Sequence, residues 1–153
     1  MKILVSACLL GENCKYSGGN NYNQAVCDFA RGHQVVPVCP EVLGGLPTPR
    51  CPAEIVQGVV TNKEGINVDR KFRAGAAKAL AIAKENGVEL AILQSRSPSC
   101  GVKEIYDGTF SGTKIPGQGV FAKMLVDEGV CVLDAGELPQ IILKNEDGKC
   151  QSD

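Results

Sequence analysis

Apolar residues come in short, nearly unbroken runs, and the segments between them repeat their apolar positions at helical spacing. Residues 2–7 (K-I-L-V-S-A), 35–38 (V-V-P-V), 88–93 (V-E-L-A-I-L) and 130–133 (V-C-V-L) read as strands. Apolar side chains at successive rather than alternate positions are the mark of strands covered on both faces. Residues 70–86 form the longest helix, with Phe72, Ala76, Ala79, Leu80 and Ala83 on one face, Asp69 as N-cap and Gly87 as stop. Gly75 shares that face and lets the helix pack closely against a neighbour. Shorter helices are expected over 24–31, capped by Asn21 or Asn23, over 119–127, and over 137–143 as a closing element before a polar tail from 144.

Between these elements the pattern is less regular. Residues 54–60 and 66–68 flank T-N-K-E-G and read as a hairpin or two short strands, while 42–52 (V-L-G-G-L-P-T-P-R-C-P) is turn chemistry throughout. Residues 102–118 are polar and glycine-rich, a functional loop or lid rather than a strand pair. The stretch H-Q-V-V-P-V-C-P-E (residues 33–41) begins as a buried strand, although Pro37 argues against a fully paired central position. Strands alternating with helices predict an α/β fold in three layers, a mostly parallel sheet with helices on both faces (Rossmann-like). One domain is expected to take in residues 1–153.

Composition narrows the partners. A formal net charge of -1, 5% aromatic residues and no Trp argue against a broad nucleic-acid footprint or a base-stacking platform for single strands. No apolar run approaches the ~20 residues that span a bilayer. The first apolar run, broken by Gly11 and Glu12, suits a buried strand better than a signal peptide, so a soluble cytoplasmic protein is expected. Nothing in the pattern fixes an oligomeric state.

Eight cysteines change the picture. A disulfide framework belongs to small secreted domains, whereas here Cys8, Cys39 and Cys100 each follow an apolar strand directly or after a short loop. In open parallel sheets ligands bind beyond the carboxyl ends of the strands. Thiolates select zinc, Cu(I) or iron–sulfur clusters, and the absence of C-x-x-C pairs favours a cubane with one open iron over structural zinc. Buried thiols remain an equal alternative on spacing alone. Glu41, two residues after Cys39, reads as a general acid/base or as an N-cap or ion-pair partner. Ser97 reads as a turn serine or a group that orients substrate or water. Cys14 is a spare ligand, a redox partner or neither, and Cys27, Cys131 and Cys150 are structural or incidental. Besides an enzyme, the chain could be a redox-sensing or structural metal module, or a persulfide-type sulfurtransferase acting through Cys14 or Cys100.

Four motifs in order then resemble one family. S-A-C-L-L-G-E-N-C-K-Y-S-G-G (6–19), V-C-P-E-V-L-G-G-L-P-T-P-R (38–50), S-P-S-C-G (97–101) and Y-D-G-T-F (106–110) are similar to the thiouracil desulfidase family, in its free-standing form. The resemblance implies an oxygen-sensitive 4Fe–4S cluster held by Cys8, Cys39 and Cys100, with one iron left open for the sulfur of a thiolated uracil. It also implies hydrolytic, non-redox desulfuration, with Glu41 transferring protons and Ser97 positioning substrate or water. The implied partner is a small thiolated pyrimidine, with neither nucleic acid nor membrane. Lys15 and Ser17 stand where the family often has Arg and Asp. Cys51 departs further and opens two alternatives, a rearranged ligand set or, in air, a disulfide with Cys14.

Overall fold

In the computed structural model, which describes residues 1–137, the elements follow one another as β1 (Lys2–Ser6), α1 (Gln24–Ala30), β2 (Gln34–Val38), α2 (Pro40–Leu43), β3 (Ala53–Val56), β4 (Val59–Asn62), α3 (Asp69–Glu85), β5 (Leu90–Leu93), β6 (Glu104–Tyr106), β7 (Lys114–Pro116), α4 (Val120–Asp127) and β8 (Cys131–Asp134). A 3-10 turn follows β1 over Ala7–Leu10, and another follows β8 over Ala135–Glu137.

β1, β2, β5 and β8 form a wholly parallel sheet in the order β2-β1-β5-β8. Successive residues of a strand face opposite sides, and each side has its own core. Ile3, Val5, Ile92 and Leu133 pack with Val26 and Ala30 of α1. Leu4, Ala91, Leu93 and Val132 pack with Phe72, Ala76, Ala79 and Ala83 of α3 and with Phe121 and Leu125 of α4. This is the expected three-layer α/β arrangement, and the two cores explain why the strands are apolar at consecutive positions. Burying each large aliphatic side chain is worth about 1.5–3 kcal/mol.

β2 lies at the sheet edge, with Pro37 opposite Val5 of its one neighbour. It is half-exposed rather than buried, and only Val38 is enclosed. The chain runs outward from β1 to β2 and then returns past β1 to β5, so the strand order reverses between β1 and β5. Such a reversal leaves a crevice at the carboxyl ends of the strands.

Several boundaries differ from the sequence reading. The hairpin of β3 and β4 turns at Gln57–Gly58, both with positive φ (49° and 80°), the geometry of a two-residue hairpin turn. T-N-K-E-G instead folds around the Asn62 side chain, which accepts the N–H groups of Glu64 and Ile66, and beyond it only Asn67 bridges back to Thr61. Asp69 opens α3 without capping it; its carboxylate accepts the Val60 N–H at 3.0 Å and pairs with Arg73. The 102–118 connection contains the antiparallel pair β6 and β7 after all, and the turn-rich 42–52 stretch starts inside α2. Asn23, not Asn21, caps α1. Of the expected closing helix only Glu137 is described; the rest of it and the polar tail lie outside the described residues.

α2 and α3 cross at a pair of glycines. A Cβ on Gly75 would stand 1.8 Å from the Pro40 carbonyl oxygen, and one on Gly44 would stand 2.0 Å from that of Lys71. Gly75 thus permits the close approach its place on the apolar face predicts. Among the described residues, no helix is long and apolar enough to cross a membrane.

Candidate functional site

Each of three adjacent strands ends by handing a thiol to the same edge. After β1 the 3-10 turn carries Cys8, and Gly11, with φ of 98°, closes that turn. Pro40 lacks an N–H, so it stops β2 and starts α2, leaving Cys39 at the helix N-cap. After β5 the hydroxyl of Ser97 accepts the N–H groups of Ser99 and Cys100, both at 3.1 Å, and this turn sets Cys100. Cys8, Cys39 and Cys100 line one cleft of about 440 Å³, together with Cys14, Glu41 and Ser97.

Polar contacts orient the thiols. Asn21 donates to Cys8 Sγ at 3.4 Å, and Ser99 Oγ lies 3.6 Å from Cys100 Sγ. Cys39 Sγ donates to the Cys14 carbonyl at 3.8 Å. The Cys14 side chain also bonds to Cys8 and Cys39, which draws each of those thiols down to about 7 in spite of burial. The same bonds hold the proton on Cys14 and push its own pKa upward. Burial pushes the Cys100 thiol up to about 12. Cys14 and Cys51 are both free, and Cys51 does not contribute to the cleft wall.

Glu41 is anchored through both carboxylate oxygens. Arg50 donates to Oε1 from Nε at 3.1 Å and pairs with it through Nη2 at the same distance, with the arginine side chain 7% exposed. Ser99 donates to Oε2 at 2.9 Å, and Ser97 lies 3.4 Å from the same oxygen. Arg50 further reaches the carbonyls of Cys14 and Pro47 and the Thr48 hydroxyl, tying the first loop to the turn after α2. The ion-pair role anticipated for Glu41 is therefore present beside the serine contacts. Ser97 likewise combines its turn-forming role with a place in the cleft wall.

The donor set fits a cluster. No three His, Cys, Asp or Glu side chains among the described residues close tightly enough around one point to hold a single metal ion. Three thiols on separate strand ends suit a polynuclear cluster, whose ligands attach to different irons.

Sequence reasoning missed Arg50, Ser99 and Glu54. Arg50 was visible only within a proline-rich turn, and Ser99 only within S-P-S-C-G (97–101). Glu54 reaches across to the loop after β6, accepting the N–H groups of Gly108 and Phe110.

Comparison with known proteins bears on the family and the fold. The profile of the 2-thiouracil desulfurase family matches residues 3–137. The chain is 41% identical over 150 residues to the uncharacterized protein YbbK of Bacillus subtilis (strain 168), covering 92% of this chain and 99% of that one. The solved structure of the 4Fe–4S-dependent thiouracil desulfidase TudS is similar at a TM-score of 0.86 and 37% identity, over 94% of this chain and 96% of that one. With a family match over most of its length, a relative above 40% identity and the same fold, the chain belongs to the 2-thiouracil desulfurase family.

Proposed function

We propose that the protein removes sulfur from a small thiolated uracil by hydrolysis, using a 4Fe–4S cluster held by Cys8, Cys39 and Cys100. The observation that carries this reading is the convergence of three strand-end thiols on one cleft that Glu41 and Ser97 also line. When bound, the cluster supplies an iron without a protein ligand, a Lewis acid for the soft thiocarbonyl sulfur.

The chain's own residues supply the rest. Exchange of C=S for C=O by water needs no electron acceptor; one proton of the water leaves on sulfur as hydrosulfide, and the other needs an acceptor. Glu41 Oε2 is that acceptor, because Arg50 occupies Oε1 and turns Oε2 toward the serines. Ser97 orients the water or the ring, and Asn21 fixes the direction of the Cys8 thiolate. A cleft of about 440 Å³ suits one small ring rather than a nucleic-acid strand.

The test is anaerobic. Iron and sulfide are reconstituted into the protein, and hydrosulfide and uracil are measured from 4-thiouracil. Iron-dependent turnover, lost in Cys39→Ala together with the cluster absorbance, is expected. Glu41→Gln should keep the absorbance and lose turnover. Failure of iron to incorporate would overturn the ligand set, and a loaded protein without turnover would overturn the substrate.

A further inference from the structure

We propose that Tyr106 and Phe110 form an aromatic wall that stacks on the face of the substrate ring, with Glu54 as the residue that positions it. This rests on the thiolated-pyrimidine reading above and adds how the ring is selected: by its planar π face, not only by its sulfur.

The chain has four Phe, three Tyr and no Trp, and three of these seven rings, Tyr16, Tyr106 and Phe110, line the one cleft that carries the thiols. Phe72 and Phe121 are core residues and Phe29 packs against the core, whereas Phe110 belongs to neither apolar cluster. Folding therefore does not account for its ring.

The backbone that presents Phe110 is held in an unusual form. Phe110 has φ of 57°, in the left-handed region that a bulky side chain rarely adopts. Two devices hold it there. Glu54 on β3 accepts the N–H groups of Gly108 and Phe110 at 3.0 and 3.1 Å through a single carboxylate oxygen. Gly108, with φ of 93°, lies so close to β3 that a Cβ would stand 2.7 Å from the Ile55 carbonyl oxygen. A strained residue persists only where its surroundings over-determine it, and ligand clamps are among the places where such residues gather. Glu54 lines the cleft itself, so the clamp and the aromatic wall are one structure.

Ring stacking recognises any planar π face and discriminates against puckered or acyclic groups. The favoured ligand class is therefore the aromatic thiocarbonyl ring, with saturated rings and open-chain thioamides bound more weakly.

Two readouts on the cluster-loaded protein test this. Calorimetry measures the binding of uracil, which has the ring but no sulfur. Anaerobic kinetics compares 4-thiouracil with its puckered 5,6-dihydro counterpart. Phe110→Ala should weaken uracil binding about tenfold and erase a similar share of the preference for the planar ring, mainly through KM. Phe110→Leu keeps apolar bulk without a π face and should behave like Ala, while Phe110→Tyr should restore binding. Glu54→Ala should match Phe110→Ala and add nothing in the double variant, and Glu54→Gln, which keeps an accepting oxygen, should rescue. Unchanged uracil affinity and ring preference in Phe110→Leu and Tyr106→Leu would overturn the wall. A wild-type protein that binds uracil through Phe110 yet releases no hydrosulfide would uphold the wall and sink the desulfuration.

Discussion

Replacing Gly75 by Ala tests how the fold holds Glu41 in place. In an exposed helix this change stabilises by about 1 kcal/mol, since alanine is the better helix former. Here the added methyl would stand 1.8 Å from the Pro40 carbonyl oxygen and 2.7 Å from the Gly44 nitrogen, backbone atoms of α2 and its C-cap that cannot swing aside. Because real Cβ contacts under 3.0 Å essentially do not occur, α2 must retreat by about 1.2 Å, from 1.8 to 3.0 Å. Pro40 precedes Glu41, so the shift reaches a carboxylate whose bond to Ser99 is 2.9 Å long and would lengthen past hydrogen-bonding range. Overpacking of this kind costs about 1–3 kcal/mol, which exceeds the helix gain. A misplacement near 1 Å of a reacting group costs about 10²-fold in rate. Gly75→Ala should therefore lose up to about 2 kcal/mol in urea unfolding and about 10²-fold in anaerobic turnover of 4-thiouracil, with the cluster absorbance retained. A variant at least as stable as wild type with full turnover would show that α2 does not depend on this crossing, and the reasoning would fail.

Arg50→Met should destabilise by about 3 kcal/mol, because it strands the Glu41 carboxylate in a site where the pair is 7% and 15% exposed. Adding Glu41→Gln should recover part of that loss in urea unfolding, and a strictly additive double variant would refute the pairing. Asp69→Ala should cost about 1–2 kcal/mol at neutral pH, since the buried Val60 N–H loses its acceptor. Burial works to raise the Asp69 pKa, but the Arg73 hydrogen bond and charge and the Val60 N–H outweigh it and hold the carboxyl below its ordinary value. A lowered folded pKa contributes stability above the unfolded value and loses it as pH falls through the folded one. The deficit of Asp69→Ala should accordingly shrink between pH 7 and pH 3.

Much of this was legible because the strands announce themselves. Consecutive apolar residues in β1 and β5 feed two cores, so their ends, and Cys8 and Cys100 beyond them, could be located from the pattern alone. Pro37 carried a correct warning about β2, whose three valines otherwise suggest a buried strand. The β3–β4 hairpin was misplaced because T-N-K-E-G is richer in turn formers than Q-G, although the two-residue turn leaves β3 and β4 in direct register. The partners of Glu41 were out of reach for a different reason. Arg50 and Ser99 meet it only after α2 and the turn following β5 are brought to one sheet edge, and neither contact has a local signature. The bond from Glu54 to residues 108 and 110 joins two separate small sheets and is equally invisible along the chain.

β2 presents Cys39 and Glu41, and it also bounds the sheet. An open strand edge offers a row of backbone groups onto which another molecule can zip, and natural proteins interrupt such rows. Pro37 supplies the interruption: a strand with one neighbour tolerates proline where the missing N–H would face away from it. The strand that leads the chain to this thiol and carboxylate thus also guards against strand-to-strand aggregation, and substitutions there trade one property against the other.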